Sequence, residues 1–173
     1  MVVAWRSFSP GSTYAPDLIA DVTALLHDAY AQHLANGLDF SAATQDKETT
    51  RNRLTSATAL IGFLEDAVVA TGLIYERLRA RPDLPSWFSE ESVSVAAQLA
   101  VLPRLQRLGI GSELLGALER QAKDWGKLHL ALDTAEPALA LISFYKKRGY
   151  VTIDHFQYSD VPFRHVILSK TLT

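Results

Sequence analysis

Apolar and polar residues alternate along the chain with two different periods, and the changes between them predict the order of strands and helices. Residues 2–8 are predicted as a first strand, which ends at Ser9-Pro10-Gly11. Between residues 16 and 34, apolar side chains recur at three- and four-residue spacing, which is typical of an amphipathic helix. Asn36-Gly37 is expected to end that helix, and a second, more polar helix is predicted over residues 46–57.

The rest of the chain has the features of a hairpin followed by alternating strands and helices. Residues 60–64 and 68–77 are rich in apolar side chains, and Glu65-Asp66 between them predicts a tight turn. After a loop at 80–91, the pattern predicts strands at 93–101, 128–132, 150–153 and 165–170 and helices at 109–125 and 137–147. Gly149 is expected to end the last helix. These elements predict one α/β (α+β) sheet, partly antiparallel, with helices on its faces.

Composition and charge narrow the class of protein. Of the 173 residues, 48% are apolar, so we expect one globular domain over residues 1–173. The net charge of −2 gives no broad basic surface, and we expect no nucleic-acid partner. The absence of cysteine excludes disulfides, thiolate catalysis and cysteine-based metal sites. Because no apolar stretch is long enough to span a bilayer and the first residues do not resemble a signal peptide, we expect a cytoplasmic protein with no membrane partner.

One segment carries candidate binding chemistry, namely Gln106-Arg107-Leu108-Gly109-Ile110-Gly111 between a predicted strand and a predicted helix. Its two glycines leave the backbone uncrowded, so amide N–H groups can converge on an anion at the positive end of the helix dipole. Such a loop is suited to holding a phosphate. Glycine also marks ordinary turns, so the spacing by itself leaves both interpretations open.

Four segments in sequence order resemble the motifs of the GNAT superfamily of acyl-CoA-dependent N-acetyltransferases. They are Leu99-Ala-Val-Leu-Pro103, the loop at 106–111, Leu132-Asp-Thr134 and Ser143-Phe-Tyr-Lys-Lys-Arg-Gly-Tyr150. The loop is similar to the Gln/Arg-x-x-Gly-x-Gly/Ala motif of that family, and the last segment to its apolar-Tyr-x-Lys-x-Gly-Phe/Tyr helix end. The resemblance implies a mixed, mostly antiparallel sheet of six or seven strands with helices on both faces. It also implies acetyl-CoA as cosubstrate.

By this resemblance, the segment from Leu99 to Ser112 holds the acyl donor. Backbone groups of Leu99 and Val101 are expected to hydrogen-bond the pantetheine arm, and the Leu99 amide to stabilise the oxyanion of a tetrahedral intermediate. Amides of the loop are expected to hold the pyrophosphate. Arg104 and Arg107 are either further phosphate contacts or ordinary surface arginines. The implied cofactor-binding residues are Leu99, Ala100, Val101, Gln106, Arg107, Leu108, Gly109, Ile110, Gly111, Ser112 and Tyr145.

Tyr145 occupies the tyrosine position of the family motif. The resemblance implies that its hydroxyl acts as the general acid that protonates the departing CoA thiolate. Tyr145 and Leu99 are thus the two implied catalytic residues. The alternative is a buried tyrosine that packs beside Phe144 with its hydroxyl bonded to backbone. Lys147 is more simply explained as a solvated cation at a helix end than as a phosphate contact.

The general base is not identified by any motif. Several family members carry a glutamate where this chain has Val95, and an asparagine that bonds the pantetheine where it has Ala138. An amine must lose a proton to react, so another group is required, acting through water. The candidates are Glu90, Glu91, His129, Asp133 and His165.

The region that receives the acyl group varies within the family, and no motif names the amine. We expect it to be formed by the first helix, residues 36–53, the loop at 80–91 and the C-terminal hairpin. Aromatic candidates for its lining are Tyr30, Phe40, Trp87, Phe88 and Tyr158. Acidic candidates for attracting a cationic amine are Asp39, Glu48, Glu90 and Glu91, although solvated loop charge is the commoner explanation for each. For Trp87-Phe88, packing over the sheet is an equal alternative.

Two main classes of function therefore remain, together with a third that depends on the loop alone. The first is an N-acetyltransferase acting on a small-molecule, peptide or protein amine, which the presence of Tyr145 favours. The second is a non-catalytic CoA-binding sensor or partner module, which Val95 leaves open; a regulator that binds phosphate through the loop alone is a third. The five histidines lack paired ligand spacing, so we expect no metal. A homodimer through the C-terminal strands is a further expectation from the family.

Overall fold

The computed structural model describes residues 2–173, which form seven strands and four α-helices. In chain order these are β1 (Ala4–Phe8), α1 (Pro16–Ala35), α2 (Lys47–Ser56), β2 (Thr58–Leu64), β3 (Ala67–Tyr75), β4 (Val93–Val101), α3 (Ile110–Asp124), β5 (His129–Ala135), α4 (Leu139–Lys146), β6 (Val151–Phe156) and β7 (His165–Thr171). Every predicted element is present, and β4 has the bounds that the sequence predicts.

The strands form one sheet in the order β1-β2-β3-β4-β5-β7-β6. β1 with β2, β2 with β3, β5 with β7 and β6 with β7 are antiparallel pairs. The pair β4–β5 is parallel, with Val93–Val95 opposite His129–Ala131. The prediction of a mixed, mostly antiparallel sheet of six or seven strands is thereby confirmed, with seven strands.

The last helix begins later than its sequence pattern suggests. Ala138, the residue before it, has ψ of 62°, outside the helical range, so α4 starts at Leu139. Gly149 follows the helix with φ of +88°, as expected for a glycine that ends a helix. The next strand is longer than predicted, because pairing with β7 continues to Phe156.

Residue contacts divide the chain into two compact units. The first comprises the chain up to Ile74 together with Gln98–Leu118, and the second comprises Tyr75–Ala97 together with Glu119–Thr173. That the whole chain acts as a single domain stays a prediction.

The first unit has a buried apolar cluster that holds both ends of the loop between β4 and α3. Val101 and Leu105 precede the loop, Ile110 follows it, and all three pack with residues of the N-terminal strands. The cluster consists of Val3, Val69, Ala70, Val101, Leu105 and Ile110, with Trp5, Leu64 and Leu102 against it. Burial of this apolar area anchors the loop ends, so the loop between them starts and finishes at fixed points.

The second unit has a separate core around Phe88, Val93, Val95, Ala131 and Ile167. Phe88 is buried, and the indole N–H of Trp87 donates to Ser169 Oγ at 3.1 Å. Of the two alternatives for Trp87-Phe88, the structure therefore shows packing over the sheet. Val95 is only 3% exposed, as expected of a core residue.

We predict that Asp46→Ala lowers the melting temperature at neutral pH. Asp46 precedes α2 and accepts a hydrogen bond from the Thr49 amide at 2.7 Å. This bond lowers the pKa of the Asp46 carboxyl below its usual range. Its contribution to stability is thus present above the unfolded-state pKa, about 3.9, and lost as pH falls through the lower folded-state pKa.

Thermal unfolding of wild type and Asp46→Ala at about pH 7 and about pH 3 checks this, because the difference in melting temperature should shrink in acid. Asp39→Ala, at another exposed aspartate, is the control. A difference that is equally large at both pH values would contradict the assigned role of the carboxylate.

Candidate active site

The second half of β4 departs from regular strand conformation. Gln98 has φ of +52°, in the left-handed region that few non-glycine residues adopt. The parallel register with β5 ends three residues earlier, at Val95 opposite Ala131. In the first unit, the hydroxyl of Tyr30 on α1 donates to the Leu99 carbonyl at 3.2 Å. Beyond Val95, β4 therefore has no parallel partner in β5, and the Leu99 carbonyl has a side-chain donor from α1.

The loop after β4 is tied down at its start. The Leu102 amide donates to the Val69 carbonyl at 3.0 Å, and the Gln106 side chain donates through Nε2 to the Val101 carbonyl at 3.1 Å. The Gln106 amide itself donates to the Pro103 carbonyl at 3.2 Å, closing a short 3-10 turn. These bonds fix the path from the strand into the glycine-containing segment.

The remaining part of the loop presents amide groups at the start of α3. Arg107 and Gly109 have φ of +63° and +92°, which turns the chain into the helix. The Gly109 carbonyl accepts from the amides of Ser112 and Glu113 at 2.9 and 3.0 Å. Within residues 2–173, the amides of Gly109, Ile110 and Gly111 have no hydrogen-bond acceptor, as is usual for the first N–H groups of a helix.

These features fit a phosphate group. Unpaired N–H groups and the positive end of a helix dipole stabilise an anion, and the loop is open to solvent, since Leu108 is 59% exposed. Arg104 and Arg107 are exposed beside it. Among the predicted binding residues, Ala100, Val101, Ile110 and Tyr145 are buried, Leu99, Gln106, Gly111 and Ser112 are half-buried, and Arg107, Leu108 and Gly109 are exposed.

In the second unit, Tyr145 lies at the end of α4 and is 7% exposed. Its ring contacts Phe144 edge-on, with centroids 5.2 Å apart, and lies 5.8 Å from the ring of Tyr150. The Tyr150 hydroxyl donates to Glu119 Oε1 at 3.1 Å, and Lys170 Nζ donates to Glu119 Oε2 at 2.8 Å. Burial and the Glu119 carboxylate raise the pKa of Tyr150, so its proton stays on the phenol. The sequence motifs indicated neither Glu119 nor Lys170, because both lie outside them.

Two of the five candidate bases form a pair in the second unit. His165 Nδ1 lies 2.6 Å from Asp133 Oδ2, and the rings of Tyr158 and Phe163 lie 4.9 and 5.4 Å from the imidazole. Burial, followed by the charge of Asp133, raises the pKa of Tyr158. His129 instead contacts Trp87 edge-on at 5.3 Å. Glu90 and Glu91 are exposed loop residues.

Three residues that the sequence suggested for the acceptor region make contacts within the protein. Tyr30 and Phe40 form a cluster with His33, with ring centroids 5.4 to 5.8 Å apart. Burial lowers the pKa of His33. Glu48 is exposed and pairs with Arg51 at 3.4 Å, as expected of solvated charge on a helix.

Neither a metal-binding cluster nor a membrane-spanning helix is found among residues 2–173. Within residues 2–173, no group of three or more His, Cys, Asp or Glu side chains is arranged to hold a metal ion. No helix in that range combines the length and apolar character needed to cross a bilayer.

The sequence matches the family model described as "Acetyltransferase (GNAT) family" over residues 22–150. This match covers well over half of the chain, so the protein belongs to the GNAT family of acetyltransferases. No curated protein matches the sequence.

Solved structures of the family share the fold across nearly the whole chain. A GNAT family acetyltransferase from Elizabethkingia anophelis with acetyl-CoA bound is 17% identical, with 98% of each chain covered and a TM-score of 0.66. The PaiA N-acetyltransferase of Thermoplasma acidophilum, in complex with coenzyme A, is 16% identical, with 99% of each chain covered and a TM-score of 0.68. A ribosomal-protein alanine N-acetyltransferase from Escherichia coli is 14% identical, covers 98% of this chain and 95% of its own, and has a TM-score of 0.67. At these identities the likeness establishes the fold.

Proposed function

We propose that the protein transfers an acetyl group from acetyl-CoA directly to the primary amine of a small molecule, peptide or protein. The observation that carries this proposal is the loop at the start of α3, where the amides of Gly109, Ile110 and Gly111 are unpaired within the described chain. Family membership supports the choice of CoA as the anion that these groups bind.

In the proposal, the donor is held by backbone groups of β4 and the following loop. Leu99, Ala100 and Val101 contact the pantetheine arm, and the segment from Gln106 to Ser112 holds the pyrophosphate. Arg107 is exposed at this segment and supplies a cation to the phosphates. The Gln106 side chain, which is bonded to the Val101 carbonyl, keeps strand and loop in register.

The bound donor supplies an activated acyl group as a thioester. The amine nitrogen forms a bond to the acyl carbon while the carbon–sulfur bond breaks, and the amine loses a proton to a base or to water. The Leu99 amide donates a hydrogen bond to the thioester oxygen, where negative charge develops. Tyr145 donates its proton to the sulfur, so CoA leaves as the thiol.

Tyr145 is chosen as the proton donor because it occupies the tyrosine position of the family motif. Tyr150 is a poorer candidate, because burial and the Glu119 carboxylate raise its pKa.

Val95 supports a second candidate function. Val95, where several family members carry a glutamate, is packed in the core of the second unit and supplies no base. A non-catalytic CoA-binding sensor or partner module is the function that this feature favours. The single domain over residues 1–173, the homodimer and the cytoplasmic location stay predictions.

Ligand-dependent thermal unfolding tests the proposal. At about 100 times its Kd, a ligand that binds only the folded state stabilises it by about 2.7 kcal/mol, so acetyl-CoA and CoA should raise the melting temperature clearly. NAD and ATP are the comparison ligands and should have smaller effects. No shift with acetyl-CoA or CoA would contradict both functions. Thiol release over a panel of amines then separates enzyme from sensor.

A further inference from the structure

A buried glutamine in the first unit links the helical segments to β4. Gln45 is 6% exposed and lies just before α2. Its side-chain oxygen accepts from Arg53 Nη1 at 2.7 Å and from Gln98 Nε2 at 2.6 Å, and its nitrogen donates to Thr50 Oγ1 at 2.8 Å. Thr23 on α1 donates to Thr50 at 2.9 Å. We call Thr23, Gln45, Thr50, Arg53 and Gln98 the Gln45 network.

Hydrogen-bond chemistry fixes the direction of each contact in the Gln45 network. A guanidinium has donors only, so the Gln45 atom facing Arg53 is the carbonyl oxygen. That oxygen has two lone pairs, and Arg53 and Gln98 use both. The backbone carbonyl of Gln45 lies 2.8 Å from His27 Nε2, which fixes the main chain as well. Gln45 is therefore held at both its side chain and its main chain.

The contact with Gln98 falls on the one residue of β4 that has positive φ. A non-glycine residue in this region is strained and persists only where its surroundings hold it. Here the Gln98 side chain is held by Gln45, and the next carbonyl, that of Leu99, is held by the Tyr30 hydroxyl at 3.2 Å. The peptide plane between these two residues carries the Leu99 amide. These two hydrogen bonds lie on either side of that plane and restrict how far it can turn.

We propose that Gln45 is a positioning residue, which acts through Gln98 to aim the Leu99 amide at the thioester oxygen. The expected effect on kcat rests on the proposed function. The effect of Gln45 on the backbone of β4 does not depend on that function. An oxyanion donor must be in place before the reaction, and a displacement of about 1 Å can cost roughly a hundredfold in rate. Loss of the Gln45 contact should therefore lower kcat more than it changes acetyl-CoA binding.

Two substitutions at Gln45 test the proposal. Gln45→Met keeps the length of the side chain but removes its acceptor, and kcat should fall roughly ten- to a hundredfold with the KM for acetyl-CoA nearly unchanged. Gln45→Glu keeps one carboxylate oxygen as the acceptor for both Arg53 and Gln98. The Thr50 hydroxyl can donate to the second carboxylate oxygen. This variant should therefore retain most of kcat. Tyr14→Phe is the control for lost stability, since it removes a buried hydrogen bond, to the Leu54 carbonyl, that is not part of the Gln45 network. It should lower the melting temperature and leave kcat unchanged.

A double-mutant cycle identifies the route of the effect. Gln98→Gly deletes the contacting side chain while permitting positive φ, so it should lower kcat as Gln45→Met does. Because both changes remove the same contact, the double variant should be no slower than either single one. Additive losses would overturn the proposal.

Amide hydrogen exchange without ligand separates this inference from the proposed function. In Gln45→Met, exchange in a peptide covering residues 96–102 should be faster than in wild type, whereas Tyr14→Phe should leave it unchanged. If no amine supports turnover, the proposed function fails, and this measurement still decides whether Gln45 holds the strand. Equal exchange in Gln45→Met and wild type would overturn the inference.

Discussion

Tyr145→Phe is expected to lower the rate of acetyl transfer by roughly a hundredfold, at the lower end of the range for loss of a general acid, because a thiol is a good leaving group. The ring contacts with Phe144 and Tyr150 survive the change, since only the hydroxyl is lost. The melting temperature should therefore fall by no more than the loss of one hydrogen bond would cause, and its increase with CoA should be near that of wild type. Steady-state thiol release with one reactive amine measures the effect as a change in kcat.

The matched control is Tyr14→Phe, which removes another buried tyrosine hydroxyl. Tyr14 is 4% exposed, its hydroxyl donates to the Leu54 carbonyl at 3.1 Å, and burial raises its pKa to about 12. Losing that bond should cost about 0.5–1.5 kcal/mol of stability and leave kcat unchanged. If Tyr145→Phe turns over as fast as wild type, Tyr145 is not the general acid.

Gly109→Asp is expected to weaken acetyl-CoA binding by roughly fivefold to a thousandfold. The substitution places a carboxylate beside the amides of Gly109, Ile110 and Gly111, where the proposal puts the pyrophosphate. Like charges about 4 Å apart repel by about 1 kcal/mol in water and about 4 kcal/mol near a protein surface. Isothermal titration at fixed ionic strength measures the affinity.

Two controls separate charge from backbone strain. A Cβ at Gly109 meets no atom within 4 Å, so Gly109→Ala adds only the strain of its positive φ and should retain most of the affinity. Gly37 has a similar φ of +78° and equally open surroundings, so Gly37→Asp adds strain and charge at a position outside the loop. The Gly37→Asp variant should bind acetyl-CoA as tightly as wild type does. Equal affinities of Gly109→Asp and Gly109→Ala would argue against an anion at this loop.

The elements of the fold follow closely from local sequence. The spacing of apolar residues predicts α1 almost to its ends, and the apolar, β-branched run before Pro103 predicts β4 with its bounds. Such patterns depend on residues within one or two turns of each other, so no tertiary information is needed. The ends of α4 and β6 are less well predicted. The backbone at Ala138 and the pairing with β7 decide them.

Some residues of the candidate site are likewise predicted from local sequence, whereas others are found only in the structure. The loop at 106–111 and Tyr145 are continuous motifs, and the sequence locates both. Glu119 and Lys170, which hold Tyr150, are 51 residues apart and belong to no motif. The pair of Asp133 and His165 spans 32 residues, and from sequence it is only one of several possibilities.

The order of elements, the family and the segment proposed to hold the donor follow from the amino-acid sequence alone, because each depends on short-range pattern. The positive φ of Gln98 and the hydrogen bonds from Gln45 and Tyr30 on either side of the Leu99 amide are visible only in the folded chain. These contacts span 53 and 69 residues. No local pattern specifies them, because a buried amide takes its partners from whichever donors and acceptors the folded chain brings within about 3 Å.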